Sequence, residues 1–209
     1  MIKLLYKFTQ ILIRSILRIN GGVEVRGMEN VPVEGGAIVA ANHISYLDPP
    51  LLGAVISRKA TFMARKGLFS IPVLGQAIKY AAIPVNRERT QPSTIKETVA
   101  RLKGGELIVI FPEGRRSETG EMLKAKRGVG MIVGLSKVPV IPALIVGSDK
   151  VLPVDAKWLR RGRISVVFGR PIYYTPSVKE EGHVLHEETS ERIMAAIKEM
   201  REQYADNYR

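Results

Sequence analysis

His43 and Asp48, in the run Asn42-His43-Ile44-Ser45-Tyr46-Leu47-Asp48, are the residues whose types and spacing most directly suggest chemistry. A carboxylate beside an imidazole fixes the ring's tautomer and stabilises the cation formed on proton uptake, so such a pair serves as a general base toward an alcohol. This assistance is worth about 10²–10⁴-fold in rate. On one continuous helix the separation turns through about 140°, and the two side chains would point apart. They meet only if the backbone bends between them. Pro49 favours a bend, because it disfavours helical geometry at Asp48 and is itself suited to a first helical turn. The same residues also read as a helix cap at Asp48 beside an incidental histidine. By themselves they leave both readings open.

A second cluster is Phe111-Pro112-Glu113-Gly114-Arg115-Arg116-Ser117. Gly114 permits a tight turn with exposed N–H groups, and the guanidinium forks of Arg115 and Arg116 suit phosphate oxygens. Lys124, Lys126 and Arg127 follow, and Lys66 and Asn86-Arg87-Glu88-Arg89 add further basic groups. The remaining histidines, His183 and His186, lie in a charged stretch before the last helix and lack a third metal-ligand partner in the pattern. They read as a solvated pair.

The elements that must position these groups are short apolar runs alternating with amphipathic ones. Ala37–Ala41, Thr61–Ala64, Ala82–Val85, Leu107–Phe111, Val140–Val146 and Ile164–Phe168 read as strands covered on both faces. Helices are expected from Asp48, over Pro72–Tyr80, over Pro92–Lys103, over Arg127–Ser136 and over Glu187–Tyr204, with Ile193, Ile197, Met200 and Tyr204 on one stripe of the last. The alternation predicts an α/β fold with a mixed, largely parallel sheet flanked by helices. His43, Lys66, Arg87 and Arg116 then follow four strand ends, where open α/β sheets build their sites.

The chain has 209 residues, enough for one sizeable domain. Its 32 Lys+Arg against 20 Asp+Glu give a formal charge of +12, which attracts nucleic acid, anionic membrane or phosphorylated substrate alike. There are no cysteines, which excludes thiolate chemistry and suits a cytoplasmic setting.

Residues 1–20 form a distinct amphipathic segment, leaving 21–209 as the α/β domain. Lys3, Lys7, Arg14 and Arg18 share an arc of about 60° on a helical wheel, and Leu4, Leu5, Phe8, Ile11, Leu12, Ile13, Ile16 and Leu17 occupy most of the rest. The basic residues interrupt the apolar stretch, no cleavage site follows, and no run of about eighteen uncharged apolar residues occurs, so neither an export signal nor a spanning helix is expected. A cationic stripe beside a broad apolar face suits a helix lying in the headgroup region of an anionic membrane.

His43 to Asp48 resembles the His-x4-Asp motif of the glycerolipid acyltransferases that make phosphatidic acid. Phe111 to Ser117 is similar to their Phe-Pro-Glu-Gly-Thr-Arg-Ser motif, Ile83-Pro84-Val85-Asn86-Arg87 to their second motif, and Val138-Pro139-Val140-Ile141-Pro142-Ala143 to their fourth. Lys126-Arg127-Gly128 fits a basic stretch that usually follows the third motif. The resemblance spans Asn42 to Ala143 with the motifs in order.

It implies 1-acyl-glycerol-3-phosphate acyltransferase activity with acyl-CoA or acyl-carrier protein as co-substrate and neither a cofactor nor a metal. His43 would deprotonate the glycerol hydroxyl, Asp48 would orient His43, and Lys66, Arg87, Glu113, Gly114 and Arg116 would hold the acceptor. Val138–Ala143 would border the acyl chain. Two positions depart from the pattern, Asn86 for a frequent Asp and Arg115 for the usual Thr, and both bear on the acceptor and not on the reaction.

Another lysolipid acceptor is the nearest alternative. A non-catalytic basic protein binding lipid or nucleic acid is the more distant one, and a nucleic-acid binder would need aromatic platforms that an aromatic content of 6% hardly supplies. The expected location is the cytoplasmic face of a membrane, held peripherally or monotopically.

Overall fold

The continuous apolar runs become strands because both of their faces are covered. The computed structural model describes residues 2–72, 74–86, 91–174 and 182–207. Its strands are β1 (Val23–Arg26), β2 (Ala37–Ala41), β3 (Ala60–Arg65), β4 (Ala82–Val85), β5 (Leu107–Ile110), β6 (Val140–Val146) and β7 (Ile164–Phe168). They form one sheet in the order β1-β7-β6-β2-β5-β3-β4. Every pairing is parallel except β6 with β7, so the sheet is mixed and largely parallel, as expected.

The helices are α1 (Ile2–Ile19), α2 (Asp48–Val55), α3 (Leu74–Ile78), α4 (Pro92–Lys103), α5 (Arg127–Ser136), α6 (Ser148–Val151) and α7 (Gly182–Asn207). Along β2, Ala37, Val39 and Ala41 enter one core while Ile38 and Ala40 enter the other. The first core takes Leu51, Leu52 and Ile56 from α2 and its end, and Leu17 from α1. The second takes Leu102 of α4, Ile132 of α5, and Ile193 and Ile197 of α7, with Met200 and Tyr204 beside them. This is the stripe predicted for the last helix, which begins at Gly182 instead of Glu187.

Two elements escaped the sequence pattern. β1 is a four-residue edge strand, Val-Glu-Val-Arg, whose Glu24 pairs with Arg26 and Arg163 in place of a buried partner. α6 is a single turn after β6. The last helix also revises the histidine reading: His186 sits on α7 with its ring against Gly134 and its Nδ1 buried. Burial and the nearby Arg127 charge lower its pKa, so it is a packed histidine and not a solvated one.

α1 is tied to the domain by one face. Tyr6 donates to the Gly53 carbonyl, Gln10 to those of Gly53 and Ile56, and Arg14 to that of Ala54. These carbonyls end α2, where the helix has no intrahelical donors left for them. Arg14 is therefore committed to capping α2, which corrects its place in the expected cationic stripe. Phe8, Ile11, Leu12, Ile16 and Ile19, on the other side of the helix, are exposed.

Candidate active site

Residues 42–47 leave β2 without helical structure and turn into α2 at Asp48. This bend brings His43 Nδ1 to 2.8 Å from Asp48 Oδ2. The expected helix cap is not made: no side chain caps α2, and the carboxylate instead reaches back along the chain. Its Oδ2 accepts the N–H groups of Ile44 and Ser45, each at 2.8 Å, and its Oδ1 accepts the Ser148 hydroxyl at 2.6 Å. Both oxygens of this wholly buried carboxylate are therefore occupied as acceptors. The ring nitrogen facing it must then carry the proton, because an unprotonated Nδ1 would set lone pair against lone pair. Nε2 is left as the basic nitrogen, with no hydrogen-bond partner among the described residues.

The rest of His43 is equally constrained. Its N–H donates to Glu113 Oε1 at 3.0 Å, and its carbonyl accepts the Ser117 N–H at 2.8 Å. The imidazole stacks on Phe111, with centroids 4.2 Å apart and planes 22° from parallel. Asn42 is locked to Ile145 of β6 through both its amide atoms. Three adjacent strands, β6, β2 and β5, thus fix one imidazole from three directions.

Glu113 and Gly114 do different work from that expected. Glu113 is buried, and its second oxygen accepts the Leu123 N–H at 3.0 Å, so its carboxylate braces backbone on both sides of the site and is not presented to an acceptor. Burial raises its pKa, partly offset by these N–H bonds. Gly114 adopts φ 70°, which favours glycine, and its N–H closes a turn onto the Phe111 carbonyl at 2.9 Å. A Cβ there would stand 3.0 Å from the Lys126 stem. The N–H predicted to be exposed is occupied, and the glycine's part is to shape the turn.

Arg116, expected to hold the acceptor, lies close to the His43–Asp48 bend. Its guanidinium lies 4.0 Å above the ring of Tyr46, within the His43–Asp48 bend, and its Nη1 is buried with no hydrogen bond. A buried, unpaired guanidinium nitrogen is costly unless something accepts from it. Lys66 begins a 3-10 turn at the end of β3, on a cleft of about 540 Å³ lined also by Arg65, Asn86, Gln91, Thr94 and Glu97. Arg87 lies outside the described residues. Of Val138–Ala143, expected beside the acyl chain, Val140–Ala143 are the first four residues of β6 and are buried, with Val140 in one core and Ile141 and Ala143 in the other.

Ser148 was not anticipated. The strand-end argument applied to β2 and β5 also points to the end of β6, which runs into Gly147-Ser148, but a lone serine there gives no sign of its partner. Ser148→Ala removes a hydrogen bond to a charged group, typically worth about 1.5–3 kcal/mol. We expect kcat to fall about tenfold with KM little changed in steady-state turnover, because the loss falls on the orientation of Asp48 and not on a substrate contact.

A buried imidazole–carboxylate pair with one ring nitrogen free, at an edge of the largely parallel sheet and near the unbonded Nη1 of Arg116, is an arrangement able to act as a general base toward a hydroxyl. Residues 22–146 match the acyltransferase family model. The chain belongs to the acyltransferase family. It is 34% identical over 197 residues to the 1-acyl-sn-glycerol-3-phosphate acyltransferase of Bacillus subtilis, covering 90% of this chain and 95% of that protein. It is 31% identical to the chloroplastic 1-acyl-sn-glycerol-3-phosphate acyltransferase BAT2 of Brassica napus over 72% of this chain and 45% of that longer one. Its fold resembles the crystal structure of the 1-acyl-sn-glycerophosphate acyltransferase PlsC from Thermotoga maritima, with a TM-score of 0.78, 26% identity, and coverage of 95% of this chain and 80% of that one.

Proposed function

We propose that this chain transfers a fatty acyl group from an acyl thioester, acyl-CoA or acyl-carrier protein, to the free sn-2 hydroxyl of 1-acyl-glycerol-3-phosphate, giving phosphatidic acid. The observation that carries this reading is the His43–Asp48 pair with Nε2 unpartnered, one strand away from the buried, unpaired Nη1 of Arg116. In the acceptor the 2-hydroxyl and the phosphate stand two carbons apart, which suits neighbouring strand ends about 4.8 Å apart.

His43 Nε2 takes the proton of the acceptor hydroxyl as its oxygen attacks the thioester carbonyl carbon. The tetrahedral intermediate collapses with cleavage of the C–S bond. The departing thiolate takes the proton back from His43, and Asp48 stabilises the imidazolium meanwhile. Arg116 binds the phosphate, and the Arg65–Lys66 cleft extends the positive edge away from His43.

The test is acyl transfer from radiolabelled acyl-CoA or acyl-carrier protein to a panel of lysolipids. Phosphatidic acid should be the main product, and preferential acylation of a lysolipid lacking the terminal phosphate would overturn the acceptor assignment. Arg116→Ala should raise KM for the phosphorylated acceptor about 10–100-fold and change kcat less, as expected for loss of a charge-assisted bond.

The membrane reading belongs with this function. Among the described residues no helix is long and apolar enough to cross a bilayer. α1 instead offers an exposed apolar strip, with Phe8 62% and Ile11 64% accessible, beside the exposed cations Lys7 and Arg18. We place it in the headgroup region of the cytoplasmic leaflet, on the side where the acyl thioester is at hand. Deleting α1 would also uncap α2, so point substitutions discriminate better. Phe8→Asp with Ile11→Asp should cut sedimentation with anionic vesicles at least tenfold and leave the melting temperature within about 2 °C, since neither side chain is buried. Undiminished sedimentation would exclude this face as the docking surface.

A further inference from the structure

We propose that the loop from Pro153 to Arg163 is a second membrane-docking element, seating Trp158 in the headgroups of an anionic bilayer beside α1. Trp158 is 83% exposed, an unusual state for the largest side chain. In the loop stand the exposed cations Lys157, Arg160, Arg161 and Arg163 against one acid, Asp155, with Arg163 also facing Glu24 of β1. An aromatic ring with a polar N–H amid cations is the composition that the bilayer interface favours.

The loop is held in a defined place. Leu159 packs on the core, Arg160 N–H donates to the Val151 carbonyl at 2.8 Å, and Ser45, in the catalytic bend, donates to the Leu152 carbonyl at 2.9 Å. It is joined to the end of α1 as well: Asn20 Nδ2 donates to the Arg160 carbonyl at 2.7 Å, and Gly162 N–H to the Asn20 carbonyl at 2.9 Å. Ile19, 83% exposed, ends the apolar strip of α1 next to this junction. The strip and the loop therefore adjoin. An acidic protein would match the cations but leave the apolar strip uncovered, whereas a bilayer covers both. The loop spans from β6 to the start of antiparallel β7, at the sheet edge that carries His43, so docking there brings the catalytic edge to the lipid surface.

This inference rests on the membrane reading of α1, and the two can be separated because Trp158 is the chain's single tryptophan. Full-length protein is titrated with phosphatidylglycerol vesicles and with phosphatidylcholine vesicles while sedimentation and tryptophan emission are followed together. With the anionic vesicles, emission should shift to the blue, become shielded from aqueous acrylamide and be quenched by lipids brominated near the headgroup. Arg160→Glu with Arg161→Glu should lower the partition coefficient roughly tenfold or more. Acylation of a short-chain, water-soluble acceptor should be unchanged in that variant. Sedimentation with unchanged tryptophan emission would overturn the loop's role and leave that of α1 standing. Absence of both would overturn both. A spectral change caused by an acidic carrier protein, with none from vesicles, would make the loop a protein interface and overturn the proposal.

Discussion

His43→Ala is expected to lower kcat for acyl transfer by about 10³–10⁴-fold and to leave the fold intact. General-base assistance contributes about 10²–10⁴-fold. Asp48 keeps its bonds from Ile44, Ser45 and Ser148 in the variant, so the bend persists without the ring. The structural cost is the lost bond from Nδ1 to Asp48, the stack on Phe111 and a small void, together about 2–4 kcal/mol. Steady-state transfer with a melting curve on the same sample separates the two effects. Activity within tenfold of the parent would remove His43 from the chemistry.

Asp48→Asn should be worse for the protein as a whole, because this carboxylate holds both the catalytic ring and the chain that carries it. Four donors converge on it: His43 Nδ1, the Ile44 and Ser45 amides and the Ser148 hydroxyl. An amide replaces one accepting oxygen by an N–H₂ group, so donor faces donor whichever way it is turned. If the oxygen stays toward His43 and the two amides, the nitrogen meets the Ser148 hydroxyl, which must rotate to accept. If it is flipped, the ring is driven to the tautomer with Nε2 protonated and no base remains. A comparable exchange behind a catalytic histidine elsewhere costs about 10⁴-fold. We expect a loss of about 10³–10⁴-fold in kcat, together with about 2–4 kcal/mol of stability from unsatisfied buried donors. Unfolding by denaturant checks the second figure. A variant as inactive as His43→Ala yet fully stable would mean that the backbone bonds to Asp48 do not hold the bend.

The chemistry was legible in the chain wherever it followed an apolar run. Ala37–Ala41 and Leu107–Ile110 had to be covered on both faces, so the polar residues after them had to emerge at a strand end. This reasoning reached His43 and the turn at Glu113 without knowledge of the sheet order. It missed Ser148, although β6 ends in the same way, because a lone serine after a glycine carries no signal until a carboxylate is seen opposite it. It misjudged Glu113 for a related reason. An acid in an arginine-rich turn reads as part of a ligand set, and only the positions of the His43 and Leu123 amides show that its oxygens are engaged. The cationic stripe of α1 was divided likewise: helical phase groups Arg14 with Lys7 and Arg18, but the carbonyls awaiting Arg14 belong to α2, forty residues away.

By itself, then, the sequence determined the alternation of strands and helices, the edge on which the polar groups stand, and the candidates for the base. These follow from local periodicity and from the burial that each run requires. Tertiary structure alone decided which of those groups are neighbours. In chain order the turn carrying Arg116 comes last of the four basic positions, after Lys66 and Arg87, whereas in the sheet β5 inserts between β2 and β3 and sets that turn directly beside His43. Strand order follows from how helices α2, α4, α5 and α7 divide between the two faces. That division is a property of the whole core, and no short window of residues contains it.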